Sequence, residues 1–339
     1  MEQVTIKDIA RESGYSKATV SRVLSGSNYP VASETREAIV RCAKVLGYVP
    51  NMLARGLKTN SSTEIAVVIP SFRNPFYTTA LTGIENVLSK NGFSMLVYLR
   101  KRQSKACDLI NSIYSKLVSG LIIAADCIDA ELAENLLRLQ EKNIPVVVFD
   151  DAVEGYEMLR GIFFDYRRGG RMAANHLINN GHRKVALISK QIDRCTRRSI
   201  AEGFCSAFAE HGCVLRDDDI YESAEEDDFT AGIELANRVL DSGRSYTAVA
   251  ANNDAVAAGA LSAMLQRGVR VPDEISIIGL DDNIYARMTT PLLTTVQIPS
   301  QEMGALAARS LIEAIDGTPM RYSIYMQSDI VERNTICKK

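Results

Sequence analysis

Apolar positions in the first 46 residues repeat every three or four places, the period of a helix with one buried face. Ile6, Ile9 and Ala10 line one such face, and Thr5 followed by Asp8 fits a capping box in which Thr5 is the N-cap. Gly14 stops this helix, because glycine alone adopts the left-handed conformation of such stops without steric cost. Ser16 caps a second helix whose Val20, Val23 and Leu24 face inward, leaving Lys17, Ala18, Ser21 and Arg22 outside, until Gly26 ends it. A third segment, Glu34 to Leu46, is expected to bury Ile39, Val40, Ala43 and Leu46. Three short helices with a glycine turn between the first two describe a helix-turn-helix head, whose second helix enters the DNA major groove.

Residues 47–62, GYVPNMLARGLKTNSS, break this pattern. Gly47 and Pro50 end the third helix, and Asn51 can cap a short turn running through Leu57. Met52, Leu53 and Leu57 are apolar but stand beside a Thr/Asn/Ser linker with no core to enter. A helix this short is unstable alone because nucleation is costly. It would fold against its twin from a second subunit on DNA, where an apolar side chain can wedge between base steps of the minor groove.

From residue 62 the period changes. The runs 64–70, 94–99, 120–125 and 145–150 are continuous apolar stretches of strand length, with helical periodicity between them, and 161–165, 184–189, 248–252 and 274–281 repeat the arrangement. Continuous apolar strands alternating with helices imply parallel sheets covered on both faces, here in two similar lobes. Ligands in such folds bind beyond the strand C-termini.

Composition adds mainly exclusions. No apolar run reaches the ~18 residues of a membrane span, and MEQVTIKD is no signal peptide. Seven scattered cysteines without a C-x-x-C pair suit a reducing cytoplasm. His176, His182 and His211 share no metal-ligand spacing. There is no phosphate-cradling, nucleophile-elbow or zinc-protease motif, so neither a cofactor nor a catalytic residue is expected. Net charge is −2, but residues 1–60 hold nine Lys/Arg against five Asp/Glu, and the remainder 30 against 36. A basic head on an acidic body suits a chain whose head alone meets a polyanion.

The segments VTIKDIARESGYSKATVSRVLSG, ETREAIV and LGYVPNMLARGLKT resemble the LacI/GalR family of bacterial transcription regulators, and the likeness runs through essentially the full chain. The resemblance makes Asn51–Leu57 a hinge helix and Leu57 the leucine that intercalates at the operator centre. It implies DNA contacts from Thr5, Lys7, Ser16, Lys17, Ala18, Ser21, Arg22, Asn51, Ala54, Leu57 and Lys58. It makes residues 62–339 a periplasmic-binding-protein-like domain that binds a small effector and dimerises. The first lobe is then expected over about 62–161 and 291–320, and the second over about 162–290 and 321–339. Two departures stand out: the loop SGSNYPVASETR is about one residue longer than in some members, and Ile200 stands where many place an arginine.

Polar residues ending strands are the candidates for the cleft. Phe76 and Tyr77 match aromatics that face ligand in many family members. Asp150, Asn253 and Asp281 follow apolar strands, where each is either an effector acceptor or a strand-end cap. Asp254 and Asp165 are expected to cap helices. Arg73, Arg194 and Arg198 lie in segments that the resemblance places near the cleft mouth. They point to an anionic sugar, such as a uronate or sugar phosphate, unless they are solvated or paired with Asp193 and Glu202. The expected protein is a cytoplasmic, homodimeric, operator-binding regulator, a repressor of carbohydrate genes controlled by a sugar or sugar acid, with no metal or membrane partner. A periplasmic-type sugar receptor and an α/β sugar-processing enzyme with a helical appendage are the competing readings.

Overall fold

A computed structural model describes residues 4–24, 30–48, 62–100, 104–192 and 195–339. The chain divides into two compact units, residues 1–63 and 64–339.

In the first unit, α1 (Ile6–Ser13), α2 (Lys17–Leu24) and α3 (Ser33–Val45) enclose Ile9, Val20, Val23, Ile39 and Ala43. Gly14 takes φ 73° between the first two helices. One expectation fails: Val40 is 50% exposed. The buried stripe of α3 runs Ile39, Ala43 and then Leu46 at the edge, and Val40 lies about 100° around the helix from Ile39.

The second unit contains two six-stranded sheets. The first has the order β2-β1-β3-β4-β5-β11, from β1 (Glu64–Ile69), β2 (Ser94–Leu99), β3 (Gly120–Ala124), β4 (Val146–Asp150), β5 (Gly161–Phe164) and β11 (Ile324–Met326). The second has the order β7-β6-β8-β9-β10-β12, from β6 (Val185–Lys190), β7 (Ile220–Ser223), β8 (Ala248–Ala251), β9 (Ser276–Asp281), β10 (Thr294–Gln297) and β12 (Ile330–Val331). All neighbours are parallel except β10 and β12. The first sheet carries α4 (Pro75–Lys90), α5 (Ala106–Lys116), α6 (Ala130–Glu141) and α12 (Ser300–Ile315). The second carries α7 (Tyr166–Asn179), α8 (Cys195–Glu210), α9 (Asp228–Asp241), α10 (Asp254–Gln266) and the short α11 (Ile284–Met288).

The chain therefore passes between lobes after Phe164, after Gln297 and after Met326. Boundaries near 161, 290 and 320 are each a few residues early, because β5, β10 and β11 are completed before the chain crosses. β7, β10, β11 and β12 escaped the sequence reading. β7 and β10 mix polar with apolar positions, and β11 and β12 run to three and two residues, too short for the continuous apolar signature of the central strands.

Three helix pairs approach so closely that only glycine fits. A Cβ on Gly83 of α4 would meet the Gln301 carbonyl oxygen at 1.9 Å, and one on Gly304 of α12 the Ala80 oxygen at 2.1 Å. Gly170 and Gly203 join α7 to α8 in the same reciprocal way, and Gly232 and Gly259 join α9 to α10. The obstacles are backbone, so the helices must separate to admit a methyl group. Gly304→Ala should lower unfolding free energy by about 1–3 kcal/mol, the usual range for overpacking. Denaturant unfolding measures this, and a loss below 0.5 kcal/mol would show that α4 and α12 slide apart freely.

Candidate DNA-reading face and effector cleft

The head presents one polar helix face. Lys17, Ala18 and Arg22 are exposed on α2 and Ser21 is half-buried. The Ser16 hydroxyl accepts the Thr19 amide at 3.1 Å, which fixes the start of this helix. Thr5 donates from its amide and hydroxyl to Asp8 at 3.0 and 2.7 Å, and these bonds hold the Asp8 carboxyl below its ordinary range. Lys7 is exposed beside them. This leaves a cation at each of positions 17 and 22, one helical turn and a half apart, suited to guanine edges or phosphates. Asn51, Ala54, Leu57 and Lys58 lie outside the described residues.

In the second unit, β4 and β9 end in Asp150 and Asp281, whose φ values of 90° and 126° lie in the left-handed region. Such backbone costs an aspartate about 1–3 kcal/mol and clusters at functional positions. Both side chains are buried. Burial comes first in pushing the Asp281 carboxyl well up, followed by the charges of Asp254, Asp228 and Asp150. The two strand ends, from different sheets, thus share one electrostatic environment.

Asp150 is already occupied. Tyr77, on the first turn of α4, donates its hydroxyl to Oδ2 at 3.0 Å, and Tyr166, the first residue of α7, donates to Oδ1. Burial nevertheless outweighs these donors and raises Asp150 to about 7. Tyr77 also packs edge-on to Phe76 and Phe149, with ring centroids 5.1 and 6.3 Å away. The aromatic pair is thus buried in lobe one, and the Tyr77 hydroxyl is directed to Asp150.

The cap expected of Asp254 falls on Asn253 instead. Asn253 caps α10, accepting the Val256 amide at 2.8 Å, and its Nδ2 donates to Asp228 at 2.9 Å. Asp254 does not cap; it accepts the Thr295 hydroxyl at 2.6 Å and the Asn283 amide at 2.8 Å. Its φ/ψ is already helical, so the preceding extended residue takes the cap. Asp165 does cap α7, accepting the Arg168 amide at 2.9 Å. Asp228 also pairs with Lys190 at 2.9 Å. Tyr166, Lys190 and Asp228 carried no signal in the sequence, since only the fold brings them to the strand ends.

A cavity of about 220 Å³ opens between residues 125–130 and 151–156 of lobe one and Cys195 and Thr196 of lobe two. Arg73 and Arg198 do not line it. Arg73 is exposed and its charge acts on Asp227. Arg198 lines a separate groove between α8 and β7, with Glu202, Asp217 and Glu222. Arg194 is outside the described residues. Among the described residues no group of His, Cys, Asp and Glu could hold a metal ion.

The raised carboxyls predict a pH dependence. Between the ordinary aspartate value of 3.8 and about 7, folded Asp150 keeps a proton that the unfolded chain has lost. Its contribution to stability therefore falls as pH rises from about 4 to 7 and is constant above. Asp150→Asn should gain on the wild type over that interval, measured by denaturant unfolding at successive pH values. A difference that stays flat would place the titration elsewhere.

A family model described as periplasmic binding proteins and sugar binding domain of LacI family matches residues 62–331, and one for bacterial regulatory proteins, lacI family, matches residues 5–51. The chain is 31% identical to the HTH-type transcriptional repressor PurR of Vibrio parahaemolyticus, across 98% of this chain and 99% of the relative. It is 32% identical to catabolite control protein A of Priestia megaterium, across 95% of each. Among solved structures, the Lac repressor dimer bound to operator and the anti-inducer ONPF superposes with a TM-score of 0.88 at 24% identity, covering 99% of this chain and all of the other. The transcriptional regulator CelR in its cellobiose complex gives 0.72 at 26% identity, over 98% of this chain and all of that one.

Proposed function

We infer that this chain, which belongs to the LacI family of bacterial regulatory proteins and is a DNA-binding transcription regulator, represses its genes as a cytoplasmic homodimer and answers to a small neutral sugar. Its relatives are regulators rather than enzymes. The reading of the effector rests above all on Asp281, a buried acceptor at a strand end of lobe two, beside an Asp150 whose oxygens already take the Tyr77 and Tyr166 hydroxyls. Carboxylates accept hydroxyl hydrogen bonds strongly, and a sugar supplies donors without charge. An anionic ligand would instead meet carboxyls that already raise one another. Arg198 lines a groove with Glu202, Asp217 and Glu222 rather than the interlobe cavity, which weakens the anionic expectation. The cellobiose-bound neighbour agrees with a sugar-sized polyol.

A second copy is the natural cover for the exposed apolar side chains of the larger unit. Leu99, 58% exposed, ends β2 at an open sheet edge, and Tyr114 and Leu117 lie on and after α5. In lobe two, Ile284, Met288 and Leu292 are exposed on and after α11. No disulfide joins any of the seven cysteines, in keeping with a reducing compartment.

Calorimetric titration with glucose against gluconate and galactose against galacturonate tests the effector class. The neutral member should bind more tightly, with little salt dependence. Tighter binding of the acid, weakening as salt rises, would reverse the reading.

A further inference from the structure

Four buried side-chain polar atoms have no hydrogen-bond partner among the described residues: Arg100 Nε, Asn175 Oδ1, Asn252 Oδ1 and Thr289 Oγ1. Arg100 is otherwise well bonded, to the Cys127 and Ser104 carbonyls and to Asp129. Asn252 differs in position. It directly follows β8, is 6% exposed, and its backbone amide still donates to the Ile188 carbonyl at 3.1 Å, so the ladder runs on to its amide before the chain bends.

That continuation fixes its side. Ala248 and Ala250 pack into the core shared with Ala173, Ala174 and Phe204 of α7 and α8. Val249 and Ala251 pack into the core of α9 and α10. Strand side chains alternate, so Asn252 projects toward α7 and α8 at the end of the sheet where those helices begin. Their first turns carry Tyr166, the partner of Asp150, and Cys195 and Thr196, which line the interlobe cavity.

As the amide is placed, its Oδ1 is buried without a partner. Leaving such a group unsatisfied costs about 1–3 kcal/mol, so an amide retained here calls for an occupant. The neighbouring groups are spent. Asp150 holds two tyrosine hydroxyls, and Asn253 is divided between its helix cap and Asp228. We propose that the Asn252 side-chain amide is an effector-binding group that hydrogen-bonds a ligand hydroxyl in the interlobe cleft and sets sugar specificity together with Asp281. The proposal rests on the reading of that cleft as the sugar site. The amide both donates and accepts, so it can read the direction of a hydroxyl where a carboxylate only accepts.

The test uses the full chain and the variants Asn252→Leu and Asn252→Ala. Thermal unfolding without ligand is followed by calorimetric titration with ribose, cellobiose, glucose and galactose. Removing an amide that no protein group satisfies should leave the unliganded melting temperature unchanged or higher in at least one variant. Affinity for whichever sugar binds the wild type should fall at least tenfold in both, and operator affinity without sugar should be unchanged. A lower melting temperature in both variants would show that the amide serves the fold, and unchanged sugar affinity would show that it does not read the ligand. Either result overturns the assignment. A wild-type chain that binds none of these sugars would instead overturn the sugar reading on which it depends.

Discussion

Arg22→Ala should cost about 1–3 kcal/mol in each operator half-site, and the loss should concentrate at one base position. Arg22 is exposed on the outer face of α2, in the last turn of the second helix of the helix-turn-helix. A guanidinium there matches the O6 and N7 acceptors of guanine in bidentate geometry, whereas the shorter Ala18 can offer only an apolar contact. A homodimer uses the residue twice, so the full-operator loss approaches twice the half-site figure. Titrating the variant against operators changed at single positions measures both parts. A uniform loss across all sequences, with a shallower salt slope, would make Arg22 a phosphate contact.

Asp281→Asn should weaken effector binding by an amount near 1.5–3 kcal/mol, roughly ten- to a hundredfold, while leaving the fold intact or firmer at neutral pH. The aspartate is 9% exposed and shares its surroundings with Asp254, Asp228 and Asp150, so ionising it is unfavourable until a ligand donates to it. Asparagine keeps the shape and tolerates the left-handed φ of 126° better than alanine would. It also replaces an ionisable group in a cluster of four carboxyls with one that is neutral at every pH. Stability and affinity should therefore move in opposite directions. A variant that loses stability and keeps sugar binding would make Asp281 a strand-end strut.

The elements that build both lobes were legible because each central strand is covered on both faces and so reads as an unbroken apolar run. The Val146–Asp150 strand and the Ser276–Asp281 strand are the clearest, and each ends in a buried aspartate. The edge strand Ile220–Ser223 carries no such signal: it includes Tyr, Glu and Ser because one side of it meets solvent. The helix-turn-helix was legible from two glycines and a 3.6-residue stripe, although the stripe alone did not separate Ile39 from its neighbour Val40. Side-chain roles were harder to read. Asn253 and Asp254 are adjacent helix-capping residue types, and only the backbone conformation tells which one caps. Arg198 shares a segment with the start of the cleft, but the helix that begins at Cys195 turns it toward Glu202 and Asp217. The reciprocal glycines were invisible because each partner lies on another helix, up to 221 residues away in the case of Gly83 and Gly304.

Coupling between the cleft and the head is the central claim, and linkage makes it measurable from both ends. If a sugar changes operator affinity by some factor, the operator must change sugar affinity by the same factor. The decisive measurement is a fluorescence-anisotropy titration of labelled operator with the full chain, with and without saturating neutral sugar, paired with a sugar titration of the free chain and of its operator complex. A coupling of at least fivefold, about 1 kcal/mol, equal in the two directions, is the predicted result. Operator affinity unmoved by a sugar that the free chain binds would contradict the account.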